Sequence, residues 1–344
     1  MGDDLLAERR GALGLLTLNR PQALNALTLA MSEAMTAQLD AWAADPAIRT
    51  VAIRGAGDRA FCAGGDVRAL YEARGRDPGY APRFYAAEYR LNRLIKRYPK
   101  PYVALIDGIV MGGGVGVSFH GSDRVVTENA LFAMPETGIG LFPDVGGTWF
   151  LPRCPGEIGL YLGLTGARIK AADLLYAGLA TAEIVRERLP ALIDRLAAGE
   201  TPAIAISALR ATPDPAPLET ERSRIDRLFA GPRMEAILAA LEGDGSDFAR
   251  KVTTELGRKS PTSLKVTLRQ LSEGRTLSFE DCMRLEYRLV LRFMENHDFF
   301  EGVRTVVLEK TGTPAWKPAR LEEIEEAAVE RYFMELPGGD LRFD

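Results

Sequence analysis

Cysteine and histidine are scarce: the 344 residues include only Cys62, Cys154 and Cys282, and only His120 and His297. An odd number of cysteines without CxxC spacing argues against a disulfide scaffold or a zinc site. A reducing, cytoplasmic setting fits this usage. No group of residues has metal-ligand spacing, so no metal is expected. Neither sign of charge dominates, with 43 Lys and Arg against 47 Asp and Glu and a net charge of −4. The basic residues are dispersed, which predicts no nucleic-acid surface and requires any anionic ligand to be held locally. No stretch approaches ~18 uninterrupted apolar residues, so no membrane span is expected. The N-terminal run MGDDLLAERRGALGLLTLNRP lacks a long apolar segment followed by a small-residue cleavage site, so no secretory signal is read there. Fixed-period repeats and low-complexity tracts are also missing.

What is there is an ordinary globular composition, 47% hydrophobic and 26% charged, long enough for one large domain or two. Leu13–Leu18 reads as a strand stopped by Asn19-Arg20-Pro21, because proline lacks a donor and restricts the residue before it. Leu27–Ala44 has helical spacing, Thr50–Arg54 returns to strand, and Phe61-Cys62-Ala63-Gly64-Gly65-Asp66 leads into a further helix. Helix 82–97 places Phe84, Glu88, Leu91 and Ile95 on one stripe, so an acid lands on the apolar face. Either Glu88 sits at the stripe's edge and reaches water, or it serves a site. Tyr102–Ile106, 124–127, Leu131–Ala133 and 180–185 read as further strands. Strands alternating with helices make the first part α/β. Beyond about Arg186 the pattern turns helical, strongest over 261–271 and 279–294, with 299–308 and 321–334 behind them. This predicts two regions, 1–190 and 191–344.

The stretch Met111–Gly147 concentrates the costs. Gly112, Gly113 and Gly114 open an apolar run, and Glu136 and Asp144 follow in glycine-rich turns with no lysine or arginine between them. Glycine costs conformational entropy and an acid among apolar groups costs desolvation, so a plain core loop is a poor explanation for both. A dinucleotide loop fails, because Val117 and Phe119 stand where the last glycine of GxGxxG is needed. Bare backbone N–H groups at the triglycine suit a carbonyl oxygen that becomes negative, although the glycines could equally serve tight packing. Ser118 lies outside a GxSxG elbow, the two histidines suit packed or surface roles, and Cys62 suits a buried thiol. That leaves the carboxylates, whose apolar surroundings raise the pKa toward the range useful for proton transfer. A turn-capping role remains open for Asp144 and is weaker for Glu136.

Leu18-Asn19-Arg20-Pro21 with Asn25-Ala26, Phe61 to Asp66, Lys100 to Gly108, Met111 to Gly114 and Pro135-Glu136-Thr137, in this order, resemble the crotonase (enoyl-CoA hydratase/isomerase) superfamily. The resemblance implies a crotonase-like ββα spiral core over about 1–190 carrying an acyl-CoA site. It also implies that the helical region 191–344 completes the site and any oligomer contacts. The ligand would be an acyl-CoA thioester, with CoA part of the substrate and no separate cofactor. The oxyanion hole would be formed by the N–H groups of Ala63 and Gly113, with Gly64, Gly65 and Gly112 around the substrate.

One departure sorts the branches of the superfamily. Hydratases carry a first catalytic glutamate two residues after the triglycine, where this chain has Gly116, while their second glutamate matches Glu136. Asp144 stands where they usually have glycine. Glu136 with Asp144, together with Leu164 to Arg168, Ala177 to Thr181 and Trp316-Lys317-Pro318, resembles a branch that hydrolyses short, branched β-hydroxyacyl-CoA thioesters. By that likeness Glu136 and Asp144 are catalytic and Glu88 binds the hydroxyl end of the substrate. An enoyl- or dienoyl-CoA isomerase or hydratase is the alternative enzyme, and a non-catalytic acyl-CoA-binding protein the alternative of another class. Self-association is left open.

Overall fold

The computed structural model describes residues 3–310 and 312–343. The chain divides into two compact units, each assembled from three segments: 1–66, 87–133 and 168–219 in the first, and 67–86, 134–167 and 220–344 in the second.

The first unit holds both sheets. β1 (Leu5–Arg10), β2 (Leu13–Leu18), β3 (Thr50–Gly55), β5 (Tyr102–Ile106), β7 (Asp123–Val126) and β9 (Ala182–Glu183) lie side by side in that order. β4 (Ala60–Cys62), β6 (Ile109–Met111) and β8 (Leu131–Ala133) make a second, parallel sheet. From β3 to β9 successive strands alternate between the two sheets, which is the expected ββα spiral. β1 pairs antiparallel with β2, and every other pairing in the large sheet is parallel. Parallel strands covered on both faces become continuous apolar runs, which is why LGLLTL of β2 and YVALI of β5 are buried at every position. One core cluster joins Leu13, Leu15, Val103, Leu105 and Val125 to Leu192 and Leu196 of the helix Leu189–Ala197.

β1 escaped the sequence reading. Its sequence, LLAERR, is mostly solvated and carries charges, as an edge strand should.

The second unit is mainly helical. Helix Pro261–Gly274 starts with proline in its first turn and a Ser260 hydroxyl accepting from the Ser263 N–H at 3.2 Å. Helix Phe279–Glu295 starts on Ser278, whose hydroxyl accepts from the Asp281 N–H at 3.1 Å. The helix expected over 299–308 is an α-helix His297–Gly302 continued by a π-helical stretch Val303–Glu309. The one expected over 321–334 is a 3-10 turn at Leu321–Glu323 followed by an α-helix at Glu326–Phe333. Among the described residues no helix is long and apolar enough to cross a membrane.

Candidate active site

In the first unit, two glycine segments are brought together by the loop that follows β2. Asn25 is buried in the left-handed conformation, φ 58°, which asparagine tolerates better than most residues. Its side-chain oxygen accepts from the Arg20 N–H at 2.9 Å, and its amide donates to the carbonyls of Ala56 and Ala60, both at 2.9 Å. Arg20 donates to the Ala26 carbonyl at 2.7 Å and to Asp66 at 3.2 Å. This network ties the Asn19-Arg20-Pro21 motif to the Phe61–Asp66 motif. Leu27 then pairs with the glycine loop, its N–H donating to the Gly64 carbonyl at 2.9 Å and its carbonyl accepting from the Asp66 N–H at 2.8 Å.

That pairing decides which N–H groups are left over. The Ala63 N–H, expected to be an oxyanion donor, donates instead to the Leu24 carbonyl at 3.0 Å, so this assignment is corrected. The N–H groups of Gly65 and Gly113 donate no hydrogen bond among the described residues. They are neighbours: a Cβ built on Gly113 would stand 3.1 Å from the Gly65 nitrogen and 2.5 Å from Glu88 Oε1. Gly112 has φ 45° and ψ −124°, a conformation open in practice only to glycine, and Gly64 has φ 131°. A Cβ on Gly114 would stand 2.3 Å from the Cys62 carbonyl oxygen, so the triglycine is pressed against the Phe61–Asp66 loop. Glu88 is 2% exposed, which rules out the reading in which it reaches water. Gly116, where a hydratase has its acid, is buried.

Other nucleophile candidates in this unit are occupied. The Ser118 hydroxyl donates to the Gly114 carbonyl at 2.6 Å within its own turn, and His120 is buried. Burial pushes the Cys62 thiol up to about 12, so it carries no thiolate at neutral pH.

In the second unit, acids converge. Glu136 opens a 3-10 turn, Glu136–Ile139, closed by Gly140 in the left-handed conformation. Its carboxyl is buried and its Oε2 has no hydrogen-bond partner among the described residues. Burial first, then the like charges of Asp144 and Glu286, hold this carboxyl well above the usual carboxylate range, against a smaller opposing pull from Lys259. Asp144 is 5% exposed, so the glycine-rich turn delivers it to the interior. Sequence reasoning placed Glu136 and Asp144 but missed Glu286, in helix Phe279–Glu295, and Lys259.

Glu286 accepts from the N–H groups of Gly146 and Thr148 at 2.7 and 2.9 Å. Burial pushes its carboxyl up to about 8, helped by Asp144 and opposed by those hydrogen bonds. A signal for it was available. Phe279, Cys282, Met283, Leu289, Val290 and Phe293 are all buried, and Glu286 sits on their stripe, as Glu88 does on its own. Lys259 is 8% exposed and its ammonium pairs with Glu255 at 2.5 Å.

Sequence and structure comparisons agree on the family. The sequence profile described as Enoyl-CoA hydratase/isomerase matches residues 13–333. The chain is 46% identical to the 3-hydroxyisobutyryl-CoA hydrolase, mitochondrial, of Xenopus tropicalis, over 98% of this chain and 91% of that protein. It is 45% identical to the human protein of the same name, over 99% of this chain and 91% of that one. Among solved structures, a carnitinyl-CoA dehydratase from Mycobacterium thermoresistibile superposes with TM-score 0.94 at 42% identity, covering 98% of both chains. An enoyl-CoA hydratase from Rhodobacter sphaeroides 2.4.1 superposes with TM-score 0.93 at 38% identity, covering 99% of this chain and 100% of that one.

Proposed function

Because the chain belongs to the enoyl-CoA hydratase/isomerase family, we propose that it hydrolyses the thioester of 3-hydroxyisobutyryl-CoA to 3-hydroxyisobutyrate and CoA, a step of valine breakdown. The observation that carries this reading is the buried pair of acids, Glu136 and Asp144, in a chain whose hydratase acid is replaced by Gly116. Addition of water to a C=C bond uses two carboxylates, one for the water and one for the α-proton, and the first of these is missing. Thioester hydrolysis needs one carboxylate to act on the acyl carbon and donors for the oxyanion.

The N–H groups of Gly65 and Gly113 receive the thioester oxygen, each such donor being worth about 2.7–4 kcal/mol in the transition state. Glu136, once ionised, either attacks the carbonyl carbon and expels CoA, the acyl–glutamate anhydride then being hydrolysed by water, or takes the proton of a water that attacks the carbonyl carbon and expels CoA directly. CoA leaves as the thiol or thiolate, a good leaving group that needs little protonation. Asp144 orients the water or the β-hydroxyl, and Glu88 accepts from the hydroxyl end of the substrate. No electrons change hands, so no redox cofactor is required, and CoA arrives with the substrate. Three buried cysteines without disulfides support a reducing compartment such as the cytoplasm.

The test is release of free CoA from a panel of acyl-CoA thioesters. We expect 3-hydroxyisobutyryl-CoA to be the best substrate. The high similarity to a dehydratase and a hydratase favours a second reading, hydration or isomerisation of an enoyl-CoA, in which the thioester stays whole. Crotonyl-CoA separates the two: we expect negligible hydration, and efficient hydration without CoA release would replace the hydrolase reading.

A further inference from the structure

The turn carrying Asp144 is held in an unfavourable conformation by two buried side chains that reach it from distant helices. Val145, the next residue, has φ 49° and is 1% exposed. A β-branched side chain almost never adopts the left-handed region, because its Cβ substituents crowd the backbone there. Something outside the turn must therefore hold it. On one side of Val145, the N–H groups of Gly146 and Thr148 both donate to Glu286, one to each carboxylate oxygen, at 2.7 and 2.9 Å. On the other side the Pro143 carbonyl accepts from Gln270 Nε2 at 2.7 Å, and the same amide reaches Thr148 Oγ1 at 2.7 Å. Glu286 and Gln270 are both fully buried.

Packing alone does not call for an acid at this position. An apolar side chain of similar size would fill the volume without the cost of removing a carboxyl from water. What the carboxylate adds is direction, because two acceptors locked on two N–H groups of one turn fix the angle at which that turn leaves Asp144. We propose that Glu286 is the positioning residue of Asp144, a clamp that holds Gly146 and Thr148 and thereby keeps Val145 left-handed and the Asp144 carboxylate aimed. The proposal rests on the reading of Asp144 as a group that works in the transition state.

The test is Glu286→Gln in the full-length protein, a substitution of equal size that removes one of the two acceptors. Three quantities are read: CoA release from 3-hydroxyisobutyryl-CoA, amide hydrogen exchange at Gly146 and Thr148, and the melting curve. A catalytic group misplaced by about 1 Å loses up to about 100-fold in rate, so we expect kcat to fall about 10- to 100-fold. KM should stay within about threefold of wild type, since substrate binding is not what the clamp controls. Exchange at the two amides should quicken while the melting temperature shifts modestly. A folded variant with wild-type kcat, or with unchanged exchange at both amides, overturns the proposal. Should the glutamine variant not fold, Glu286→Asp is read in its place. It keeps the carboxyl group but withdraws it by one methylene, and the same loss in kcat with KM preserved is expected; a wild-type kcat there overturns the clamp. If the wild-type protein releases no CoA, the functional reading fails, and the exchange rates at Gly146 and Thr148 alone decide whether Glu286 holds the turn.

Discussion

The glycine cradle of the first unit and the acid cluster of the second are built by opposite means. In the cradle the proposed working groups are main-chain N–H donors, and what selects them is pairing with the loop after β2: Leu24 and Leu27 occupy the donors and acceptors around Gly64, leaving Gly65 and Gly113 over. Such donors cannot titrate, and their geometry follows from glycines that permit close approach. In the acid cluster the proposed working groups are side chains whose charge state depends on their neighbours. Glu136 and Asp144 come from turns, whereas their regulator Glu286 lies 140 residues from the Gly146 N–H it holds. Both therefore depend on partners distant in sequence: the glycine motif supplies the donors, but pairing with the loop after β2 selects which stay free, and the acid-bearing turns supply the acids, but Glu286 sets their surroundings.

The sharpest way to break this comparison is Glu136→Gln, which retains shape and removes the acid. Loss of a catalytic acid or base costs about 100- to 10,000-fold, so CoA release should collapse in a protein with a wild-type melting curve. Near-normal turnover would move the chemistry out of the acid cluster. Next comes the cradle: Gly113→Ala puts a methyl 3.1 Å from the Gly65 nitrogen. Disturbing one oxyanion donor costs about 100- to 1,000-fold in kcat, and kinetics indistinguishable from wild type would remove Gly113 from the reaction.

Asp144→Gly restores the residue usual in hydratases and should cost about 10- to 100-fold, with kcat and kcat/KM falling together. If Asp144 only caps its turn, the variant should instead lose about 0.5–2 kcal/mol of stability and keep its kcat. The smallest effect is on the pH dependence of stability. The Glu286 carboxyl, pushed up to about 8, binds its proton more tightly folded than unfolded. Its contribution is therefore fully present below the ordinary carboxylate value of about 4.3 and is lost as pH rises through about 8. The melting temperature of wild type relative to Glu286→Gln should fall between pH 5 and 9, and a constant difference would show that Glu286 titrates normally.

What was legible from the sequence divides differently, into signals carried by neighbouring residues and signals that need a partner distant in the chain. β5 and β8 coincide with the apolar runs read as strands, and helix Pro261–Gly274 begins where its pattern was read to begin, because these signals are local. β1 was not legible, since a charged edge strand lacks the alternation of a half-buried one. The glycines and both acid-bearing turns stood out by their cost. The choice between the Ala63 and Gly65 N–H groups could not be read, because it depends on pairing with Leu24 and Leu27, far upstream. Glu286 could have been found by asking why an acid sits on the apolar stripe of its helix.

All three thiols are buried, and burial pushes each of them up to about 12. Reagents that detect sulfhydryl groups attack the thiolate, so the native protein should stay silent toward them. The CoA set free by hydrolysis carries an exposed thiol and should react at once. A chromogenic disulfide therefore reads product without a protein background, and any chain that unfolds during the assay announces itself by releasing three further thiols. One trace then distinguishes a variant that has lost its chemistry from one that has lost its fold.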